Sequence, residues 1–205
     1  EQSLPDTDPQ SDLHYSGQWV IGAGINMVED SGDQTFTDFF TLKHKNWGLP
    51  FFVSAEYLTN SRFSFSATFL INKYQAGKTV QGNTIQEGDE PNYMAVDLAA
   101  KMFFRKILHK HVFTPYITAG AGYSSISSYQ AINPSDNLVP VDQSNRITLN
   151  TGIGAYYWFG RTWGINFNYI AKFNLSASND IGAFKDNHLV SSLGVFYRFN
   201  NKNFK

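Results

Sequence analysis

The sequence predicts an all-β fold: an eight-stranded antiparallel up-and-down transmembrane β-barrel with long loops at one rim and short turns at the other. Three observations carry that expectation. Apolar and polar residues alternate with a period of two, and the pattern recurs eight times. One phase of the alternation carries no charge. The connections between the alternating segments switch between long and short.

Taken in order, Trp19, Ile21, Ala23, Ile25 and Met27 mark the first apolar phase, and Phe51, Val53, Ala55 and Tyr57 the second. Phe63 to Ile71 supplies the third, Met94 to Phe104 the fourth and Phe113 to Tyr123 the fifth. The sixth runs from Leu149 to Phe159, the seventh from Trp163 to Phe173 and the eighth from Leu189 to Phe199. The opposite phase is of another kind. It holds Gly22, Gly24 and Asn26, then Ser54, Ser64, Ser66 and Thr68, then Gly120, Gly122, Gly152, Gly154, Asn166 and Asn168.

Counting the polar phase of the third segment from Arg62, six formal charges fall within the strands: Glu56, Arg62, Asp97, Lys101, Lys172 and Arg198. All six lie on the polar phase, which chance would achieve roughly one time in sixty on a two-sided strand. A soluble eight-stranded barrel reverses this arrangement, with an apolar cup inside and charges outside. A Lys or Arg facing lipid at mid-depth costs about 2–4 kcal/mol. An uncharged aromatic face is therefore what a bilayer requires.

Composition agrees. Of 205 residues, 16% are aromatic and only 16% charged, against about 25% charged in ordinary globular domains. The 16 Lys and Arg balance 17 Asp and Glu, so no excess of positive charge points to nucleic acid. The absence of Cys removes disulfides, thiolate metal sites and cysteine nucleophiles. No stretch approaches the roughly 18 consecutive apolar residues of a spanning helix. The chain begins at Glu1 and reads as a mature form whose export signal has been removed.

Long connections are expected at about 29–49, 73–92, 124–146 and 174–187, and short ones at Thr59-Asn60-Ser61, Lys106–His111 and Gly160-Arg161-Thr162. Long extracellular loops opposite short periplasmic turns are the outer-membrane pattern, and an even strand count leaves both termini periplasmic. Residues 1–14 and 200–205 are then polar periplasmic tails around a barrel at 15–199. Trp19, Tyr57, Phe63, Phe104, Phe113, Phe159, Trp163, Tyr197 and Phe199 gather on the lipid phase at the short-turn ends, as a periplasmic aromatic girdle.

These residues resemble the barrel domain of the outer membrane protein A family. Trp47-Gly48-Leu49-Pro50 leading into a strand, then Glu56-Tyr57-Leu58 and a tight turn, is similar to the form found in gliding and gut-associated Gram-negative lineages. Ser192-Leu193-Gly194-Val195-Phe196-Tyr197-Arg198-Phe199 resembles a C-terminal β-signal, with Ser192, Gly194, Tyr197 and Phe199 at its positions. The resemblance implies insertion by the β-barrel assembly machinery and residence in a Gram-negative outer membrane. Family members often continue into a periplasmic domain that binds peptidoglycan. Peptidoglycan is expected as a partner only if residues 200–205 begin a linker to such a domain.

Eight strands leave an interior that side chains fill. Phe52, Leu70, Phe103, Tyr116, Tyr156, Trp158, Ile170 and Phe196 point inward as plugs, with glycines on strands one, five and six making room. Glu56, Arg62 and Arg198 are expected to form a buried cluster near the short-turn end, with Lys101 and Asp97 close by. Satisfied interior charges are the plain reading, and a gated proton or ion path the sharper one.

Catalysis finds little support. His188, Ser191 and Asp186 are close in sequence, but His188 faces inward and Ser191 faces lipid. His109 and His111 lack a third ligand, and Asp89-Glu90 and Asp136 lack calcium-loop spacing. No cofactor or metal is expected. Lys43, His44 and Lys45 approach the outer rim, where lipopolysaccharide phosphates would meet them. The expected role is that of a non-enzymatic structural anchor, or an accessory subunit of a larger outer-membrane assembly or secretion complex. Ala119, Ala121, Thr151, Ala155, Ala171 and Ser191 would allow close packing there. A narrow ion or solute passage and a surface adhesin acting through the loops are the alternatives.

Overall fold

Eight strands close into one barrel in the computed structural model, which describes residues 17–29, 45–46, 48–80, 83–104, 112–175 and 187–199. They are β1 (Gln18–Glu29), β2 (Phe51–Leu58), β3 (Phe63–Lys73), β4 (Asn92–Phe103), β5 (Phe113–Ile126), β6 (Ser144–Phe159), β7 (Trp163–Asn174) and β8 (His188–Arg198). Each pairs antiparallel with its neighbours in sequence. β8 returns to β1, from Val20↔Arg198 to Glu29↔Leu189, so the barrel has no open edge. Followed through the pairings from Gly22, the register reaches Thr148 on β6 one way round and Trp158 the other. That stagger of ten residues over eight strands requires strands tilted by roughly 35–45°.

The alternation places the two phases as expected. Outward-facing Ile21, Phe65, Leu98, Ile153, Phe167 and Val195 are exposed, while inward-facing Val20, Phe52, Tyr116, Tyr156 and Phe196 are buried. Bulky inward rings are accommodated by facing glycines. A Cβ on Gly22 would collide with the Phe196 ring, and one on Gly154 with Tyr116. The short turns are locally satisfied. Asn60 Oδ1 accepts the amides of Arg62 (2.8 Å) and Phe63 (2.9 Å), and Gly160 supplies a φ of +76° between β6 and β7.

The long connections hold more structure than a polar loop. Thr79–Val80, Asn83–Ile85, Tyr129–Ile132 and Leu138–Val141 form a second, four-stranded sheet joining the β3–β4 loop to the β5–β6 loop. Val80, Ile85, Tyr129 and Ala131 are its buried face. Lys45–Asn46 adds a short strand to β1 at the same rim. β5 and β6 also extend further than expected, to Ile126 and from Ser144, so Arg146 belongs to a strand and not to a loop. The segment Lys106–His111, most of the first loop and most of the last lie outside the described residues, as do both tails. Among the described residues, no helix is long and apolar enough to cross a membrane.

Candidate functional site

The strands turn their charges into the lumen, and four of these charges form two ion pairs at different depths. In the lower pair, Lys101 Nζ on β4 donates to Glu56 Oε2 on β2 at 2.5 Å. Tyr156 on β6 donates its hydroxyl to the same oxygen at 2.6 Å, and Ser64 donates to Glu56 Oε1 at 2.7 Å. Lys101 Nζ also reaches the Tyr156 hydroxyl at 3.2 Å and lies 4.9 Å from the centre of the Tyr116 ring. Both carboxylate oxygens are thus satisfied, which a fully buried charge requires. Four strands from around the barrel are tied at this one level.

Below it the rings pack as a plug. Tyr156 stacks on Trp158 at 5.1 Å between centroids and meets Phe196 edge-on at 5.4 Å. Phe103 meets Tyr116 edge-on at 5.6 Å; on the long-loop side of the Phe196 ring, Phe52 lies 6.1 Å away. These separations fall in the favourable range for aromatic pairs.

The upper pair joins Lys172 on β7 to Asp97 on β4, with Nζ 2.7 Å from each carboxylate oxygen. Asn150 donates to Asp97 Oδ1 at 2.9 Å, and Thr148 donates to Asn150 at 2.8 Å. Gly122 lies opposite, and a Cβ there would strike the Asp97 carboxylate. Higher still, the Tyr93 hydroxyl and His188 Nε2 are 3.0 Å apart. Asn26, Asn72 and Asn46 link β1 and β3 to the strand at Lys45–Asn46, through bonds of 2.8 and 3.0 Å from Asn72. Tyr74 packs edge-on against Tyr93 at 6.2 Å, and both belong to one buried cluster with Val80, Ile85, Tyr129 and Ala131 of the second sheet. A cavity of about 30 Å³ separates the two ion pairs, bordered by Ser66, Thr68, Asn168 and Ser192. It has room for one or two waters.

The expected Glu56–Arg62–Arg198 cluster does not form. Arg62 sits in the turn before β3, where strand alternation no longer applies, and its side chain is exposed. Arg198, the last residue of β8, lies over the Trp158 ring at 4.4 Å and donates to the Arg161 carbonyl at 2.9 and 2.6 Å. Lys101 takes the partner assigned to the arginines, and Asp97 belongs to Lys172. Arg146 was missed. It is fully buried, with Nε 3.3 Å from the Ser144 hydroxyl. Its parity with Asn150 was the signal available, hidden by placing the strand start at Leu149.

His188 is inside and Ser191 on the outer phase, beside Met27 and Tyr169, so the two do not share a site. Asp186, His109, His111, Lys43 and His44 lie outside the described residues, and the side chain of Lys45 is likewise undescribed. Asp89, Glu90 and Asp136 sit on the loops that form the second sheet.

On the outside, Trp19 packs on Tyr57 at 5.1 Å, Trp163 on Tyr197 at 4.9 Å, and Tyr197 on Phe199 at 4.9 Å. Tyr157 and Phe159 are 5.2 Å apart. Phe63 pairs with Met102, Phe113 with Tyr157, and Phe104 bonds to the Pro115 carbonyl. The nine aromatics therefore ring the short-turn rim. Ser192 faces the central cavity, and Gly194 makes room for the Phe52 ring.

No protein-family model matches the chain, and no curated protein matches it. Solved structures do. The attachment invasion locus protein Ail of Yersinia pestis aligns at 14% identity and a TM-score of 0.53, over 90% of this chain and 99% of that one. The N-terminal barrel domain of Pseudomonas aeruginosa OprF aligns at 14% and 0.51, over 90% and 98%. The outer membrane protein AlkL, solved in lipid bilayers, aligns at 15% and 0.54, over 98% and 97%. The likeness is one of fold, that of the closed eight-stranded barrel of outer-membrane proteins.

Proposed function

We propose that the protein is a non-enzymatic, non-conducting outer-membrane barrel that serves as a structural anchor, alone or as an accessory subunit against a larger outer-membrane complex. The observation that carries this reading is the lumen: paired charges at two depths, with an aromatic plug below them, bridge the barrel from wall to wall. The uncharged, aromatic outer belt suits lipid. In this reading the short turns and both termini are periplasmic, and the second sheet stands outside the cell. Reconstituted in planar bilayers, the protein is expected to give no stable single-channel steps, and Glu56→Gln none either. Regular ohmic steps from the unmodified protein would sink the anchor reading in favour of a passage. Gentle detergent extraction of native membranes followed by mass spectrometry separates the two forms of the proposal. Stoichiometric recovery with one larger barrel identifies a subunit, and recovery alone a free-standing anchor.

The joint sheet built by two loops favours a second reading, recognition at the cell surface. An ordered platform presents fixed side chains at low entropic cost. Deleting residues 127–143 is expected to reduce attachment of cells to their substratum under that reading, and unchanged attachment removes it.

A further inference from the structure

We infer that the short-turn rim is a binding surface for anionic phospholipid headgroups. The inference rests on the membrane placement proposed above and adds a lipid class to it. Arginines flank the aromatic ring at three places around the rim. Arg62 directly precedes Phe63 between β2 and β3. Arg161 lies between Phe159 and Trp163 in the β6–β7 turn, and Arg198 between Tyr197 and Phe199 at the end of β8. Arg62 and Arg161 are exposed, on opposite sides of the barrel. Arg198 lies over the inward-facing Trp158 ring and bonds the Arg161 carbonyl, so its charge is held on the lumen side of the rim, leaving Arg62 and Arg161 as the exposed pair.

Among the described residues no acidic side chain is exposed there, since Glu56 is fully buried in the lumen. The opposite end differs in sign. The described residues there carry Glu87, Asp89, Glu90, Asp136 and Asp142 against Lys73 and Lys78.

Aromatic side chains settle where hydrocarbon gives way to headgroups, so an arginine within two residues of such a ring lies at phosphate depth. A guanidinium matches phosphate oxygens with two parallel N–H donors and remains charged at any working pH. An anionic headgroup adds net negative charge that a zwitterionic one lacks, and basic residues near such a surface are attracted accordingly. Among the described residues the exposed charges of this rim are of one sign, which selects lipid by headgroup charge and enriches the shell at this end in the anionic species.

Trp19 and Trp163 report on that shell, since both are about half exposed on the outer face, at 50% and 51%. The protein is reconstituted in mixed vesicles of phosphatidylcholine and phosphatidylglycerol, with one lipid brominated at a time at equal mole fraction. Brominated phosphatidylglycerol is expected to quench tryptophan emission as though enriched about two- to threefold around the protein. The excess should shrink in high salt and fall in the Arg62→Gln/Arg161→Gln double variant. Neither side chain supports the fold, and the Arg161 carbonyl survives the change. Equal quenching by both lipids overturns the inference, as does an excess that the double variant keeps. Quenching by neither lipid overturns the membrane placement instead.

Discussion

Lys101 is the side chain that most narrowly constrains the interior. It is buried with a single carboxylate, and removing one member of such a pair strands the other charge away from water. Lys101→Met is therefore expected to lower stability by about 3–5 kcal/mol, measured as the shift in urea unfolding in lipid vesicles. The double variant Glu56→Gln/Lys101→Met should recover much of that loss, because no uncompensated charge remains. A double variant as unstable as the single one would show that packing, not charge, sets the cost. Strand parity was enough to turn Lys101, Glu56, Asp97 and Lys172 inward, but not to pair them. Pairing across a lumen depends on stagger, and the ten-residue stagger is a property of the closed ring that no single strand encodes. Arg62 shows the complementary error. A residue counted into a strand by periodicity alone can stand one position outside it, where the chain bends and its side chain turns to solvent.

At the scale of elements, the eight long strands were legible because each repeats its alternation over several residues. The second sheet was not. Its strands are two to four residues long, too short for a period to register, and they pair between loops that are far apart in sequence. Glu90 gives this region a response to acid. Backbone amides at Glu90 and Gly88 hold its carboxyl below the usual carboxylate range, with Lys73 assisting at 3.4 Å. A group whose value is lowered in the folded state stabilises that state above its unfolded value, and the contribution disappears as pH falls through the lowered one. The Gly88 amide should therefore exchange faster with solvent, relative to barrel amides, as pH is lowered through and below the ordinary carboxylate range. Correction for intrinsic exchange isolates the effect. An unchanged protection ratio would mean that the loop holds its shape without this contact.

The molecule as a whole presents two solvents with opposite demands, and the same substitution should read differently on its two faces. Leu98→Arg places a cation on the outer belt and is expected to cost about 2–4 kcal/mol in bilayers if it lies near mid-depth, seen as reduced folding into lipid vesicles. The same variant folding as well as its parent would contradict a lipid-facing belt. The meeting of β8 with β1 has a consequence for the order of events during folding. The two strands are joined through ten register positions, yet they are the first and the last strands of the barrel in sequence. Until the final strand arrives, both present long rows of unsatisfied amides and carbonyls, which hydrocarbon does not tolerate. The Lys101–Glu56–Tyr156 knot likewise joins strands 45 and 100 residues apart, so it forms only as the ring shuts. A nascent chain lacking β8 should therefore gain no partial foothold in the bilayer. Insertion is then expected to be concerted, with its rate set by the arrival of β8 at β1.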